Sequence, residues 1–307
     1  MGKGRGQMTL TNVKYKQVTL PNGETIAYQE REGGEKKVLL IHGNMTSSKH
    51  WDLVLEQMDP KFKIYAVDMR GFGQSTYHKR IQSIKDFSDD IKGLVDAIGL
   101  TDFAVIGWST GGGVGMQFVA DYAEYCSRLV LLASTSTRGV PFYGTRTDGL
   151  PDFENRYTTF EQIKADKDKI IPTQNAYDTK DHAFLKAVWN AVIYTKKQPN
   201  EDKYEAYVND MLTQRNLAEV YHALNTFNIS DKHNGVIEGN GLAKNIQLPV
   251  LVLRGNRDYV IPEQMAQEIV EDIGSNARFA ELKDCGHSPL IDDLDQLLQV
   301  ITEFLEE

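Results

Sequence analysis

The sequence predicts an α/β fold: a doubly wound, mostly parallel sheet with helices on both faces and a helical lid inserted after the sixth strand. Short continuous apolar runs, such as 37–41 and 103–106, alternate with stretches of helical apolar spacing. This alternation is typical of strands that are buried on both faces of a parallel sheet. It stops after Ser134 and resumes at 249–253, which indicates one core interrupted by one insertion.

The composition, net charge and cysteine count restrict the classes of function that the protein can have. The 307 residues are 41% hydrophobic and carry a formal charge of −9, so the chain can bury a sizeable core and disfavours nucleic acid or an anionic membrane as a partner. The two cysteines, Cys126 and Cys285, lie far apart and give neither a disulfide framework nor a metal-ligand spacing. No apolar run is long enough to span a membrane. We therefore expect a cytoplasmic protein without a metal, and the sequence leaves its oligomeric state open.

The first seven residues differ from the rest of the chain. Gly-Lys-Gly-Arg-Gly at 2–6 is what a purine-rich ribosome-binding site would encode if it were read in frame. We expect Met8 to be the natural start and 1–7 to be a non-structural leader. The core is then 8–135 together with 248–307, and the lid is 136–247.

The first hundred residues predict a hairpin followed by buried strands. Alternating runs on both sides of Asn22-Gly23 predict the hairpin. The strands 37–41 and 63–67 follow, with helices predicted over 51–58 and 84–98. Asp68 and Arg70, which come directly after the second of these strands, are interpreted as a pair that braces a tight loop.

The stretch 103–113 contains the candidate nucleophile, Ser109. An apolar run breaks into Gly107-Trp-Ser-Thr-Gly111 and continues with helical spacing, so the predicted order is strand, sharp turn, helix. A serine aimed out of a sheet edge needs a turn so tight that side chains two residues before and after it would collide, which explains both glycines. The N–H groups at the start of the helix point toward a developing oxyanion, and the N–H of Thr110 is the expected first donor.

The loop after the strand 37–41 supplies the expected second donor. It reads His42-Gly43-Asn44-Met45, and a loop at the carboxyl end of a central parallel strand lies beside the nucleophile turn. We assign the donor to the N–H of Asn44, with Met45 as the fallback. His42 is interpreted as a structural histidine rather than a proton-transfer group, because a better-placed histidine follows later.

The segment 136–247 predicts helices with polar joints and no buried strand. These helices are Phe160–Lys167, His182–Tyr194, Asp202–Arg215 and Leu217–Thr226. An insertion between two strands of the sheet emerges at the carboxyl edge, so we interpret it as a lid over the site. The candidate pocket residues are Trp108, Met45, Phe142, Tyr143 and Trp189.

Two polar side chains follow the last two predicted strands. Asp258 follows 249–253, and His287 follows 277–282 within a Gly-His-Ser-Pro turn. A serine hydroxyl needs an imidazole to accept its proton and a carboxylate to hold that imidazole. Ser109, Asp258 and His287 are therefore the candidate catalytic triad.

Other positions near the triad are less suitable as catalytic residues. The other strand end suited to an acid reads Ser134-Thr-Ser and offers no carboxylate, and Asp284 is too close along the chain to reach around the ring of His287. Cys285 is interpreted as a small buried residue rather than a redox switch. An amphipathic helix over 290–304 closes the chain.

Five motifs together resemble the α/β-hydrolase superfamily from about Lys14 to the C-terminus, with only the lid unmatched. They are His42-Gly43, Asp68-x-Arg-Gly-x-Gly-x-Ser75, Gly107-Trp-Ser-Thr-Gly111, Gly255-Asn-Arg-Asp258 and Gly286-His287. The resemblance implies an α/β-hydrolase fold and a serine hydrolase that works through an acyl-enzyme without a cofactor. The Gly-Trp-Ser-x-Gly box is similar to bacterial intracellular polyhydroxybutyrate depolymerases, although Thr110 stands where those carry Met. Gly-Trp-Ser-Thr-Gly-Gly also resembles the cofactor-free haloperoxidase and esterase branch.

The leading function is hydrolysis of a small-molecule ester, oligoester or lactone with a neutral, fairly apolar acyl group; 3-hydroxybutyrate oligomers or polyester are among the substrates considered. One alternative keeps the triad but passes the acyl group to peroxide or another acceptor, as an acyltransferase or perhydrolase. Another is a non-catalytic ligand-binding descendant of the fold. Epoxide and haloalkane hydrolases resemble this fold but carry Asp where Ser109 stands, which disfavours them.

Overall fold

The computed structural model describes residues 12–307, so the expected leader 1–7 and the expected start at Met8 lie outside the described residues. The strands are β1 (Val13–Thr19), β2 (Thr25–Arg31), β3 (Lys36–Ile41), β4 (Phe62–Val67), β5 (Phe103–Trp108), β6 (Cys126–Leu132), β7 (Tyr143–Thr145), β8 (Pro151–Arg156), β9 (Val250–Gly255) and β10 (Ala277–Leu282). The α-helices are α1 (Asp52–Gln57), α2 (Ile84–Ile98), α3 (Thr110–Asp121), α4 (Phe160–Lys164), α5 (Ile170–Thr179), α6 (His182–Val192), α7 (Glu201–Met211), α8 (Leu217–Thr226), α9 (Glu263–Ile273), α10 (Pro289–Asp292) and α11 (Leu294–Glu306).

The main sheet has eight strands in the order β1-β2-β4-β3-β5-β6-β9-β10. The hairpin β1–β2 and the pair β2–β4 are antiparallel, whereas all other neighbours are parallel. The predicted doubly wound, mostly parallel sheet, interrupted after its sixth strand, is confirmed. The carboxyl ends of six parallel strands consequently share one edge, where functional loops of such sheets gather.

Both faces of the central strands are buried, as their continuous apolar sequence predicts. On β3, Val38 and Leu40 belong to one apolar cluster, while Leu39 and Ile41 belong to another on the opposite face. This division follows from the two-residue period of a strand. All four side chains are fully buried, so β3 and its neighbour β5 form a rigid base for the loops that follow them.

The insertion contains five α-helices, of which α5 was not predicted, and a hairpin that was not predicted either. β7 and β8 form an antiparallel hairpin, where we expected no strand. Its apolar side chains are largely exposed, as Phe153 at 74% and Leu150 at 57% show, so the buried-strand signal is absent. Asp148-Gly149, with Gly149 at φ 82°, is the turn signal that could have revealed the hairpin. Of the helices in the described chain, none is long and apolar enough to cross a membrane.

Two further expectations are corrected. The predicted helix over 290–304 is two helices, α10 and α11, separated at Asp293, whose carboxylate accepts a hydrogen bond from the N–H of Gln296. Asp68 and Arg70 do not pair with each other. Asp68 accepts from the N–H groups of Ser48 and Gln74.

Arg70 instead forms a two-pronged contact with Asp90 on α2. Its Nε and Nη2 atoms lie 2.6 and 2.5 Å from the two carboxylate oxygens. Both side chains are buried, where such a paired geometry satisfies the charges. The loop is therefore braced from α2, a segment that the local sequence pattern does not connect to it.

The glycines around Ser109 permit close contacts between backbones. A Cβ on Gly111 would lie 2.2 Å from the carbonyl oxygen of Ile41, and one on Gly107 would lie 2.3 Å from that of Gly111. Both distances are far inside van der Waals contact. β5, α3 and the end of β3 can therefore meet only where these positions lack side chains.

We predict that Gly111→Ala lowers the free energy of unfolding by at least about 3 kcal/mol, because the methyl group overlaps backbone that cannot move aside. Urea unfolding measures this loss. Gly99→Ala is the matched control, since Gly99 has φ 64° but nothing within 4 Å of its would-be Cβ. The control carries only the left-handed backbone cost of about 1–2 kcal/mol, and equal losses in the two variants would contradict the packing argument.

Candidate active site

Ser109 stands between β5 and α3 in a strained conformation. Its φ and ψ are 55° and −117°, a region that non-glycine residues rarely adopt. Its N–H donates to the carbonyl of Leu132, and its own carbonyl accepts from Gly112 and Thr135. These three backbone hydrogen bonds, together with the glycine contacts, hold the serine in the turn.

The loop after β3 lies directly against this serine. A Cβ on Gly43 would be 3.1 Å from the Cβ of Ser109 and 3.7 Å from its Oγ. Within residues 12–307, neither the N–H of Asn44 nor that of Thr110 donates to a protein acceptor. Two N–H groups without a protein acceptor therefore flank the segment that carries Ser109. Met45, the fallback, has φ 59° and is buried.

Asp258 and His287 form a buried pair at the same edge of the sheet. The His287 Nδ1 lies 2.9 Å from Oδ2 of Asp258 and 3.1 Å from Oδ1. The N–H groups of Val260 and Ile261 also donate to Asp258. Burial by itself would raise the pKa of Asp258, but His287 and these two N–H groups outweigh it and lower that pKa below its ordinary value. The carboxylate is thus ionised and holds the Nδ1–H tautomer of His287.

Trp108 links the serine turn to the His287 loop. Its indole Nε1 donates to the carbonyl of His287 at 2.9 Å, and the two rings are 6.0 Å apart. Trp108 is fully buried. The residue next to Ser109 thus braces the backbone of His287.

The other candidate pocket residues separate into two groups. Met45, Phe142 and Trp189 are buried in the same apolar cluster as Trp108. Tyr143 is not brought to them, because its ring packs against the exposed Phe153 of the hairpin at 5.2 Å.

The rival residues near His287 are placed elsewhere. Asp284, at φ 56°, forms surface ion pairs with Lys196 and Arg257, away from the imidazole. Cys285 is fully buried, and burial raises the pKa of its thiol to about 11. Residues 12–307 contain no cluster of three or more potential metal-ligating side chains.

His42 is buried and held by both ring nitrogens. Its Nδ1 donates to the carbonyl of Gly43 at 2.8 Å, and its Nε2 accepts from the N–H of Met69 at 3.0 Å. Burial lowers the pKa of His42 to about 4. A neutral imidazole in this tautomer fixes the loop at the end of β3, while proton transfer would need a free nitrogen.

The sequence analysis did not predict that residues of the insertion reach the end of β3. Gln214, which follows α7, donates from Nε2 to the side-chain Oδ1 of Asn44 at 2.7 Å. The two residues are 170 positions apart. Gln214 falls near the end of the predicted helix Asp202–Arg215, whereas α7 ends at Met211, and no local pattern connects Gln214 to the loop after β3.

Comparisons with known proteins give one family. Residues 36–294 match the family model described as alpha/beta hydrolase fold. Pimeloyl-(acyl-carrier protein) methyl ester esterase from Vibrio vulnificus is 21% identical over 282 residues, which are 91% of this chain and 98% of that protein. An esterase from Exiguobacterium antarcticum matches with a TM-score of 0.72 at 17% identity, covering 95% of this chain and 99% of that one. The enol-lactonase from Burkholderia xenovorans LB400 matches with a TM-score of 0.66 at 20% identity, covering 95% and 100%. Both solved structures share the fold.

We predict that His42 stays neutral, with its proton on Nδ1, until the pH falls to about 4. Because an unfolded histidine has a pKa of about 6.5, the unfolded state binds the proton more tightly. The contribution of His42 to stability is therefore complete above pH 6.5 and falls by about 3 kcal/mol as the pH drops to 4. Ring ¹⁵N shifts measured by NMR across this range test the prediction, and a His42 ring that titrates near its ordinary pKa would contradict it.

Proposed function

The chain belongs to the alpha/beta hydrolase fold family, and from this premise we propose that it is a serine hydrolase that cleaves carboxylic esters or lactones through an acyl-enzyme. The observation that carries the proposal is the buried Asp258–His287 pair at the sheet edge where Ser109 is held in its strained turn. Relatives named esterase and enol-lactonase support ester-bond hydrolysis as the class of reaction.

In the proposed reaction, Ser109 Oγ attacks the acyl carbon while His287 Nε2 takes its proton. The tetrahedral intermediate collapses, the leaving alcohol receives that proton from His287, and the acyl group remains on Ser109. Water then attacks the acyl-enzyme, again with His287 as base. The second tetrahedral intermediate collapses, His287 returns the proton to Ser109 Oγ, and the acid is released. The ionised Asp258 orients the ring through Nδ1–H and stabilises the imidazolium in both halves of the reaction.

The oxyanion of both intermediates would be bound by two backbone N–H groups. Thr110 supplies the first N–H at the start of α3, where the helix dipole adds a partial positive charge. Asn44 supplies the second from the loop packed on Ser109. Because these donors are fixed by the fold before the reaction, they stabilise developing charge without reorganisation.

The surroundings favour a neutral, fairly apolar acyl group. Met45, Phe142 and Trp189 contribute to one apolar cluster beside the serine strand. Three lysines of the insertion 136–247, here called the cap, are paired with carboxylates: Lys203 with Asp52, Lys186 with Glu201 and Lys196 with Asp284. An anionic acyl group would have no unpaired partner among these lysines. Oligomers of 3-hydroxybutyrate fit this class of substrate.

The location of the protein in the cytoplasm remains a prediction from its composition.

We predict turnover of neutral esters or lactones that Ser109→Ala abolishes. A matched panel measures it: short and long acyl esters, a lactone and soluble 3-hydroxybutyrate oligomers, each with the Ser109→Ala control. Preference for the oligomers would support polyester mobilisation, whereas preference for simple esters or the lactone would reject it and keep the mechanism. If the acyl group is recovered on an added alcohol or on peroxide, acyl transfer is favoured over hydrolysis. A wild-type protein no more active than the control would contradict the proposal.

We also predict that Asp258→Asn lowers kcat by roughly three to four orders of magnitude, because the amide no longer holds the His287 tautomer. Steady-state kinetics on the preferred ester measures the change. Asp284→Asn is the matched control: the residue lies three positions before His287 but only forms ion pairs on the surface. A drop of similar size in both variants would contradict the assigned role of Asp258.

A further inference from the structure

The side chain of Asn44 is held by the cap. Its Oδ1 accepts from Nε2 of Gln214 at 2.7 Å. Gln214 is only 4% exposed, so water does not compete easily for this contact. The residue proposed to provide an oxyanion N–H is therefore attached through its side chain to a different part of the fold.

Gln214 is itself fixed in orientation. Its Oε1 accepts from the hydroxyl of Tyr177 on α5 at 3.0 Å, and its Nε2 also donates to Oδ1 of Asn216 at 3.1 Å. Asn216 donates in turn to the carbonyl of Arg70 in the core at 2.8 Å. Tyr177 and Asn216 are buried. A buried amide with all three partners in place has little freedom to rotate.

The helix before Gln214 is attached to the segment that follows Asn44. Lys203 Nζ and the Tyr207 hydroxyl each lie 2.5 Å from the carboxylate of Asp52, and the Ser47 hydroxyl donates to Asp210 at 2.6 Å. Positions 203, 207 and 210 lie on one face of α7, and 214 continues the same spacing. One side of the cap thus contacts the chain from 44 to 52.

We propose that Gln214 is a positioning residue that fixes the position of the Asn44 loop. The oxyanion site is then complete only when the cap is docked on the core. This inference rests on the proposed function and deepens it. A donor must come within roughly 2.7–3.1 Å of the oxyanion to act. Gln214 does not touch the reacting atoms; it acts through the side chain of Asn44 by fixing where the backbone N–H points.

Gln214→Leu tests the proposal, because leucine keeps the size of the side chain and removes its hydrogen bonds. The expected result is a drop in kcat of about tenfold or more, with KM within about twofold, since the oxyanion forms only in the transition state. Tyr204→Phe is the matched control: it removes the partly buried hydrogen bonds of the Tyr204 hydroxyl to Asn190 at 2.9 Å and to the carbonyl of Lys186 at 3.2 Å, both of which lie wholly within the cap. Its kcat should equal that of the wild type, and thermal unfolding of both variants shows whether they are folded.

Asn44→Ala keeps the backbone N–H and removes the side chain. It therefore distinguishes the positioning of this N–H by Gln214 from a general destabilisation of the loop. If Gln214 acts through this side chain, the double variant Asn44→Ala/Gln214→Leu loses no more kcat than Asn44→Ala alone. Additive losses, an unchanged kcat in Gln214→Leu or a change confined to KM would overturn the inference and leave the proposed function standing. A wild-type protein no more active than Ser109→Ala would overturn both.

Discussion

The sharp turn at Ser109 is the constraint on which the rest of the site depends. A non-glycine residue at φ 55° costs about 1–3 kcal/mol, and the fold offsets this with backbone hydrogen bonds and with glycines that let neighbouring chains approach. Because Gly111 packs on the carbonyls that end β3, the turn fixes two things together: the direction of the serine hydroxyl and the position of the loop that holds Asn44.

Close backbone packing at a glycine also occurs on the other side of the site. A Cβ on Gly255, at the end of β9, would lie 2.2 Å from the carbonyl of Cys285 in the loop after β10. Close backbone approach brings Asp258 and His287 into contact, and the indole of Trp108 then fastens the His287 loop to the serine strand. Each half of the site is thus set by glycine-permitted packing, with buried hydrogen bonds fixing the side chains.

The sequence predicts the parts of this arrangement that are locally encoded. Continuous apolar runs identified β3 and β5, and the glycine spacing around Ser109 identified the turn, because each signal lies within a few residues. Contacts between distant segments leave no such signal: Arg70 with Asp90, and Gln214 with Asn44, join side chains far apart in the chain. The hairpin β7–β8 gives no buried-strand signal because its apolar residues, such as Phe153, are exposed.

The most direct test of the account is a crystal structure of the protein after reaction with a serine-reactive phosphonate ester. We expect the phosphorus on Oγ of Ser109, with one phosphonyl oxygen roughly 2.7–3.1 Å from the backbone nitrogens of both Thr110 and Asn44. The Nε2 of His287 should face the same adduct. A protein that forms no adduct, or an adduct whose oxygen points away from these two N–H groups, would contradict the claim that the Ser109 turn builds a catalytic site.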